Sequence, residues 1–182
     1  MQTPEELLKQ SENRLNRALA DYEAPPSSLL AREFYELRVQ AAIFNYDICY
    51  DITSIWRAAP TGFAEKVALK SVIHRLYEYD QLMQKHLVRR LLALAEARNI
   101  GICSEDLRAL RKQWREQLKH LESWSSVRNK ATGHYGNDLQ EQVDLLKTID
   151  RSQVMEVVQA FLSYNIGVLN VLKNAGRGGN AA

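Results

Sequence analysis

The sequence predicts an all-α fold, a single-domain antiparallel bundle of about five helices. Three observations carry this. Apolar residues recur at steps of three and four along nearly the whole chain, the spacing of one helix face. No segment alternates apolar and polar residues between turn signals, as a half-buried strand would. The breaks between periodic stretches are short, which favours antiparallel neighbours. With 182 residues, one domain over 1–175 is the simplest division, followed by a flexible glycine-containing tail over 176–182.

The elements follow in order. Thr3-Pro4-Glu5-Glu6 opens the first helix: Thr3 caps it, Pro4 fits its first position and Glu6 closes a capping box. That helix runs to about Tyr22, and Pro25-Pro26 forbids its continuation. Ser27 or Ser28 caps the second, whose stripe is Leu30, Phe34, Leu37, Ala41, Phe44, Ile48, Ile52 and Ile55. Pro60-Thr61-Gly62 breaks it. The third carries Leu69, Ile73, Leu76, Asp80, Met83, Leu87, Leu91 and Leu94, and stops at Asn99 and Gly101, both suited to left-handed caps. Ser104 caps the fourth, with the stripe Leu107, Leu110, Trp114, Leu118 and Leu121. Residues 139–149 fit either a short helix or a loop. Asp150-Arg151-Ser152-Gln153 resembles a capping box before a last helix bearing Val154, Val158, Phe161, Val168 and Leu172.

Composition and charge narrow the function classes. The chain is 46% hydrophobic and 25% charged, which excludes disordered and collagen-like classes. No run of apolar residues is long enough to span a bilayer, and the acidic N-terminus lacks a signal-peptide pattern, so a cytoplasmic protein without membrane contact is expected. Cys49 and Cys103 stand alone and read as small core residues. The net charge of +2 is unevenly divided: residues 84–135 hold 11 basic and 5 acidic side chains, a balance of +6. Such a block permits contact with a polyanion, although a solvated pair of basic helices reads the same way. There is no phosphate-binding glycine loop, nucleophile elbow, H-E-x-x-H or paired E-x-x-H, so neither cofactor nor metal is expected.

One segment carries chemistry: Val127-Arg128-Asn129-Lys130-Ala131-Thr132-Gly133-His134-Tyr135. Arg128 lies seven residues past Leu121 and continues the inward stripe, where a lone charge needs a partner or a wet cleft. His134 is six residues on, pointing about 120° away on an ideal helix. Gly133, a poor helix former, lets the backbone turn and bring the imidazole back. Arg128, Asn129 and His134, with Tyr135 nearby, supply a fixed cation, an amide and a group titrating near neutrality. Those groups suit a phosphodiester: arginine neutralises the phosphate, and histidine moves the proton of a ribose 2′-OH or of the leaving oxygen. The plain readings are a boundary arginine, a capping asparagine, a histidine at a helix C-terminus and a packing tyrosine.

The segment resembles the signature of the HEPN superfamily, an arginine followed by a polar residue, often asparagine, and then a histidine, with four to six residues between the arginine and the histidine. Here these are Arg128, Asn129 and His134. The likeness is nearest to the branch found in abortive-infection and toxin–antitoxin systems. It implies a metal-independent endoribonuclease, active as a homodimer with both motifs in one cleft, attacking through the 2′-OH, with a cognate antitoxin as the expected partner. Many toxin members place a tyrosine two positions after the histidine, whereas Tyr135 follows it directly.

Two alternatives stand beside the nuclease: a non-catalytic HEPN-like module that binds RNA or nucleotide, and a helical adaptor for another protein. Asp80 interrupts an apolar stripe, so it or Glu78 is expected to approach Arg128 and hold it; a structural salt bridge is the plain reading. Lys85, Arg89 and Arg90 on the third helix, Arg111, Lys112 and Arg115 on the fourth, and Lys130 are candidates for holding an RNA backbone. Trp114 and Trp124 read as core or dimer interface.

Overall fold

A computed structural model of the chain describes residues 3–99, 101–102, 104–132 and 138–178. Among these the fold is all-α, with no strand. The helices are α1 (Pro4–Glu23), α2 (Leu29–Ala58), α3 (Phe63–Leu82), α4 (Val88–Ala97), α5 (Ser104–Gln113), α6 (Arg115–Ser123), α7 (Leu139–Lys147) and α8 (Arg151–Gly178). Two π-helical segments lie between them, Met83–Leu87 and Val127–Thr132.

Among the described residues, side-chain caps set four of the eight helix starts. Glu6 N–H donates to Thr3 Oγ1 (3.2 Å) and Thr3 N–H to Glu6 Oε2 (2.8 Å), so the capping box forms. Ser28, Asp138 and Asp150 each accept a backbone N–H from three residues on. Asp138 thereby starts α7, so 139–147 is helix rather than loop. Ser104 is different: it is the first residue of α5, not its cap, and its hydroxyl donates to Glu105 (3.3 Å). α8 continues to Gly178, so residues 176–178 of the expected tail are helical.

The expected third helix is α3, a π-helical turn and α4 in one rod, since Leu82, Met83, Leu87 and Val88 all keep right-handed helical dihedrals. The wider π turn shifts the register, so the buried stripe passes from Leu91 to Ala95 instead of Leu94. The expected fourth is α5, α6 and the second π segment, interrupted where Trp114 and Trp124 take flattened dihedrals (ψ of 15° and 2°). Tertiary demands thus divide two of the five expected helices.

Ion pairs and hydrogen bonds show how the helices run. Thr53 Oγ1 donates to Pro4 C=O (3.1 Å) at one end, and Arg38 meets Asp21 (2.5 Å) at the other, so α1 and α2 are antiparallel. The rod α3–α4 returns along α2, with Arg75 on Asp47 and Asp51 and Arg90 on Glu33 and Glu36. α8 runs parallel to α3, Arg151 meeting Glu65 and Tyr79 meeting Asn165, because α7 carries the chain back across the fold. The neighbours are therefore not uniformly antiparallel. Phe161 sits fully buried at the centre, edge-on to Phe44 (5.4 Å), Tyr79 and Tyr164 (both 6.0 Å). The Arg151–Asn174 stretch of α8 is long and apolar enough by composition to cross a bilayer, but 44% of that window is buried inside the fold, where it forms the core.

Two predictions arise from the fold. Ala59 ends α2 in the left-handed region (φ 43°, ψ 50°), where a Cβ is strained by about 1–2 kcal/mol. Glycine gives back part of that relief through its looser unfolded chain, so Ala59→Gly is expected to raise stability by about 0.5–1 kcal/mol in urea denaturation. The second concerns alkaline pH. Burial pushes the Tyr79 hydroxyl well above the ordinary tyrosine value of 10.0, against the bond it makes to Asn165; burial likewise raises Tyr164. Both are neutral in the folded state, so their contribution is present below the ordinary value and is lost as pH rises beyond it, where the unfolded chain ionises first. The urea midpoint should fall between about pH 9 and pH 11. Tyr79→Phe should make that fall shallower; an unchanged slope would exclude Tyr79 as its source.

Candidate functional site

Arg128 lies in the π-helical segment Val127–Thr132, which packs against α3 and α7. The inward positions here are Trp124 and Val127, both in the core, while Arg128 is half-buried at the boundary with 38% of its side chain exposed. That corrects the expectation that Arg128 continues the inward stripe from Leu121: the break at Trp124 resets the phase before the motif begins.

Its guanidinium is held from two sides. Nε donates to Glu78 Oε1 (2.6 Å), and Nη1 donates to Asn129 Oδ1 (2.7 Å). The Tyr77 ring lies beneath at 5.8 Å from Cζ to its centroid, within reach of a cation–π contact. Glu78 is thus the carboxylate that meets Arg128. Asp80 faces the other way: nearly fully buried, it accepts from Arg111 Nη1 (2.8 Å) and Nη2 (3.2 Å) and from Gln84 (2.5 Å). Burial alone would lower the Arg111 guanidinium, but Asp80 overcomes it and leaves it raised. The Tyr164 ring lies 5.5 Å from that guanidinium.

The remaining candidates separate. Lys130 pairs with Glu141 on α7. Arg90 is gripped by Glu33 (2.6 Å) and Glu36 (2.7 Å), which raise it further. Lys85, Arg89, Lys112 and Arg115 are exposed. Gly133, His134 and Tyr135 lie outside the described residues, as does Cys103; Cys49 is half-buried rather than core, its thiol raised by burial. Sequence reasoning passed over His74 and Arg75, which with Asp47, Glu78 and Tyr79 line an open groove of about 400 Å³ between α2 and α3. His74 and Glu78 are one helical turn apart, a spacing legible in the sequence.

Chemically, the described part of the site is an arginine oriented by a carboxylate and an amide at a partly open surface, the arrangement that fixes a guanidinium plane for an anion. Comparison with known proteins finds no matching family model, no similar curated protein and no similar solved structure.

Proposed function

We propose that the chain is a metal-independent endoribonuclease of the HEPN kind, acting as a cytoplasmic homodimer in a toxin–antitoxin or phage-defence setting. The observation that supports this best is the half-exposed Arg128, held by Glu78 and by the asparagine of its own Arg-Asn-x4-His motif. In this reading Arg128 neutralises the scissile phosphate. His134 takes the 2′-OH proton as that oxygen attacks phosphorus. The P–O5′ bond breaks, the departing oxygen gains a proton, and the products carry a 2′,3′-cyclic phosphate and a 5′-hydroxyl.

The test is incubation of the purified protein with mixed RNA, with and without a chelator. Cleavage in both conditions with 5′-hydroxyl ends is expected. Cleavage lost on chelation, or leaving 5′-phosphates, overturns the proposal. A second reading, a module that binds RNA without cutting it, is favoured by an open groove on α5 and α6 lined by Arg108, Arg111, Lys112, Arg115 and Lys119. It predicts binding with no product in the same assay.

A further inference from the structure

The positive charge of the sequence is not spread evenly. On α5 and α6, Arg108, Arg111, Lys112, Arg115 and Lys119 line one open groove of about 360 Å³, together with Leu118 and a single carboxylate, Glu122. The spacing explains the convergence. Steps of three and four residues place these side chains on one helix face, and the turn at Trp114 does not scatter them. From Arg108 to Lys119 the helix rises about 16 Å.

The cations are in different states. Arg111 lines the groove with its guanidinium committed to Asp80. Arg108 and Lys119 each meet a glutamate one turn away, Glu105 and Glu116, outside the groove lining. Those exposed pairs are worth only a few tenths of a kcal/mol and yield readily to a stronger anion. Among the described residues Lys112 and Arg115 close no ion pair. Elsewhere in the basic block, Arg90 and Arg128 are matched by acids fifty or more positions away, and Lys130 by Glu141 eleven positions on. Lys112 and Arg115 are therefore left facing one concave space, flanked by Arg108 and Lys119 in weak pairs, and a polyanion that reaches several of these cations relieves their repulsion.

We infer that this groove binds the phosphodiester backbone of a single-stranded nucleic acid, independently of its sequence. The cations lie in one line along the helix axis, the arrangement that tracks a single backbone strand. Among the described residues no aromatic side chain lines the groove to stack on a base, so phosphate contacts carry the binding. A membrane surface fits poorly, because an interfacial helix needs an exposed apolar face, and Leu118 is buried. The inference stands whether or not strands are cut at Arg128.

The test uses fluorescently labelled 12-residue oligomers of uridine, adenosine and deoxythymidine with the full chain, read by anisotropy across a salt series. The deoxythymidine strand has no 2′-OH, so its binding is separate from any cleavage by the proposed chemistry. The three should bind within about fivefold of one another, and three to four contacts give a log–log salt slope of about −2 to −3. Lys112→Glu with Arg115→Glu should weaken binding at least tenfold. Lys112→Gln with Arg115→Gln, removing two contacts, should reduce the slope by about 1.4. Arg14→Glu with Arg17→Glu on α1, the same charge change elsewhere, should bind within about twofold of the unaltered chain. A thermal melt of each variant separates loss of binding from loss of folding. The proposal is overturned if folded groove variants bind normally, if the α1 variant loses as much, or if one base is preferred more than tenfold. Capture by phosphatidylserine vesicles without oligomer binding overturns it too.

Discussion

Arg111→Ala is expected to destabilise the protein by about 3 kcal/mol, the lower end of the range for breaking a buried ion pair, since 28% of the Arg111 side chain reaches solvent. The cause is what remains behind. Asp80 is 3% exposed, and without Arg111 it keeps only Gln84 as its described hydrogen-bond donor. A stranded carboxylate costs far more than the pair contributes, because its hydration is lost and no cation replaces it. For a chain of this size the melting temperature should fall on the order of 10 °C. The paired replacement Asp80→Asn with Arg111→Met removes both charges and should cost about 1 kcal/mol or less. A double variant as unstable as the single one would show that Arg111 acts through packing alone. The same comparison probes the centre of the fold, since Tyr164, which meets Phe161 edge-on, lies against the Arg111 guanidinium.

Arg128→Ala is expected to lower RNA cleavage by about 10²–10³, the usual cost of deleting one preorganised donor to developing charge. Its effect on stability should be small. The pair with Glu78 is 38% and 45% exposed, and pairs of that kind contribute about 0–1 kcal/mol. Activity and folding therefore separate: cleavage collapses while the melting curve barely moves. Arg128→Lys should not restore activity, because a lysine cannot meet Glu78 through one nitrogen and Asn129 through another in a fixed plane. Full activity in Arg128→Ala would remove this residue from the chemistry. His134→Ala, assayed beside it, should lose a similar factor if the imidazole moves the 2′-OH proton.

Much of the helical pattern was legible because its causes are local. The Thr3 capping box, the Ser28 and Asp150 caps and the buried faces of α2 and α8 each follow from residues within two turns of one another. The shift from Leu94 to Ala95 was not legible, since the π turn over Met83–Leu87 depends on how the rod packs. Nor were the breaks at Trp114 and Trp124, where two large side chains sink toward the core and flatten the backbone.

The site divides along the same line. Reading the chain narrowed the carboxylate for Arg128 to Glu78 or Asp80 but did not choose between them. Two residues apart, they point about 200° apart around α3, so one faces the Val127–Thr132 segment and the other faces α5. Among the basic candidates, Arg111, Lys112 and Arg115 were named from the sequence, while Arg108 and Lys119, at the same helical spacing, were passed over. The neutralisation of Arg90 by Glu33 and Glu36 joins residues more than fifty positions apart, and no periodicity announces it.

The sequence by itself determined that the chain is helical, where the capped helices begin, and which faces of α2 and α8 turn inward, because hydrogen bonds within a helix and the burial of one stripe are short-range matters. Only the tertiary structure decided which cations are answered by acids and which are left together on α5 and α6. Coulomb partners are chosen by proximity in space, and that is settled only when distant helices pack.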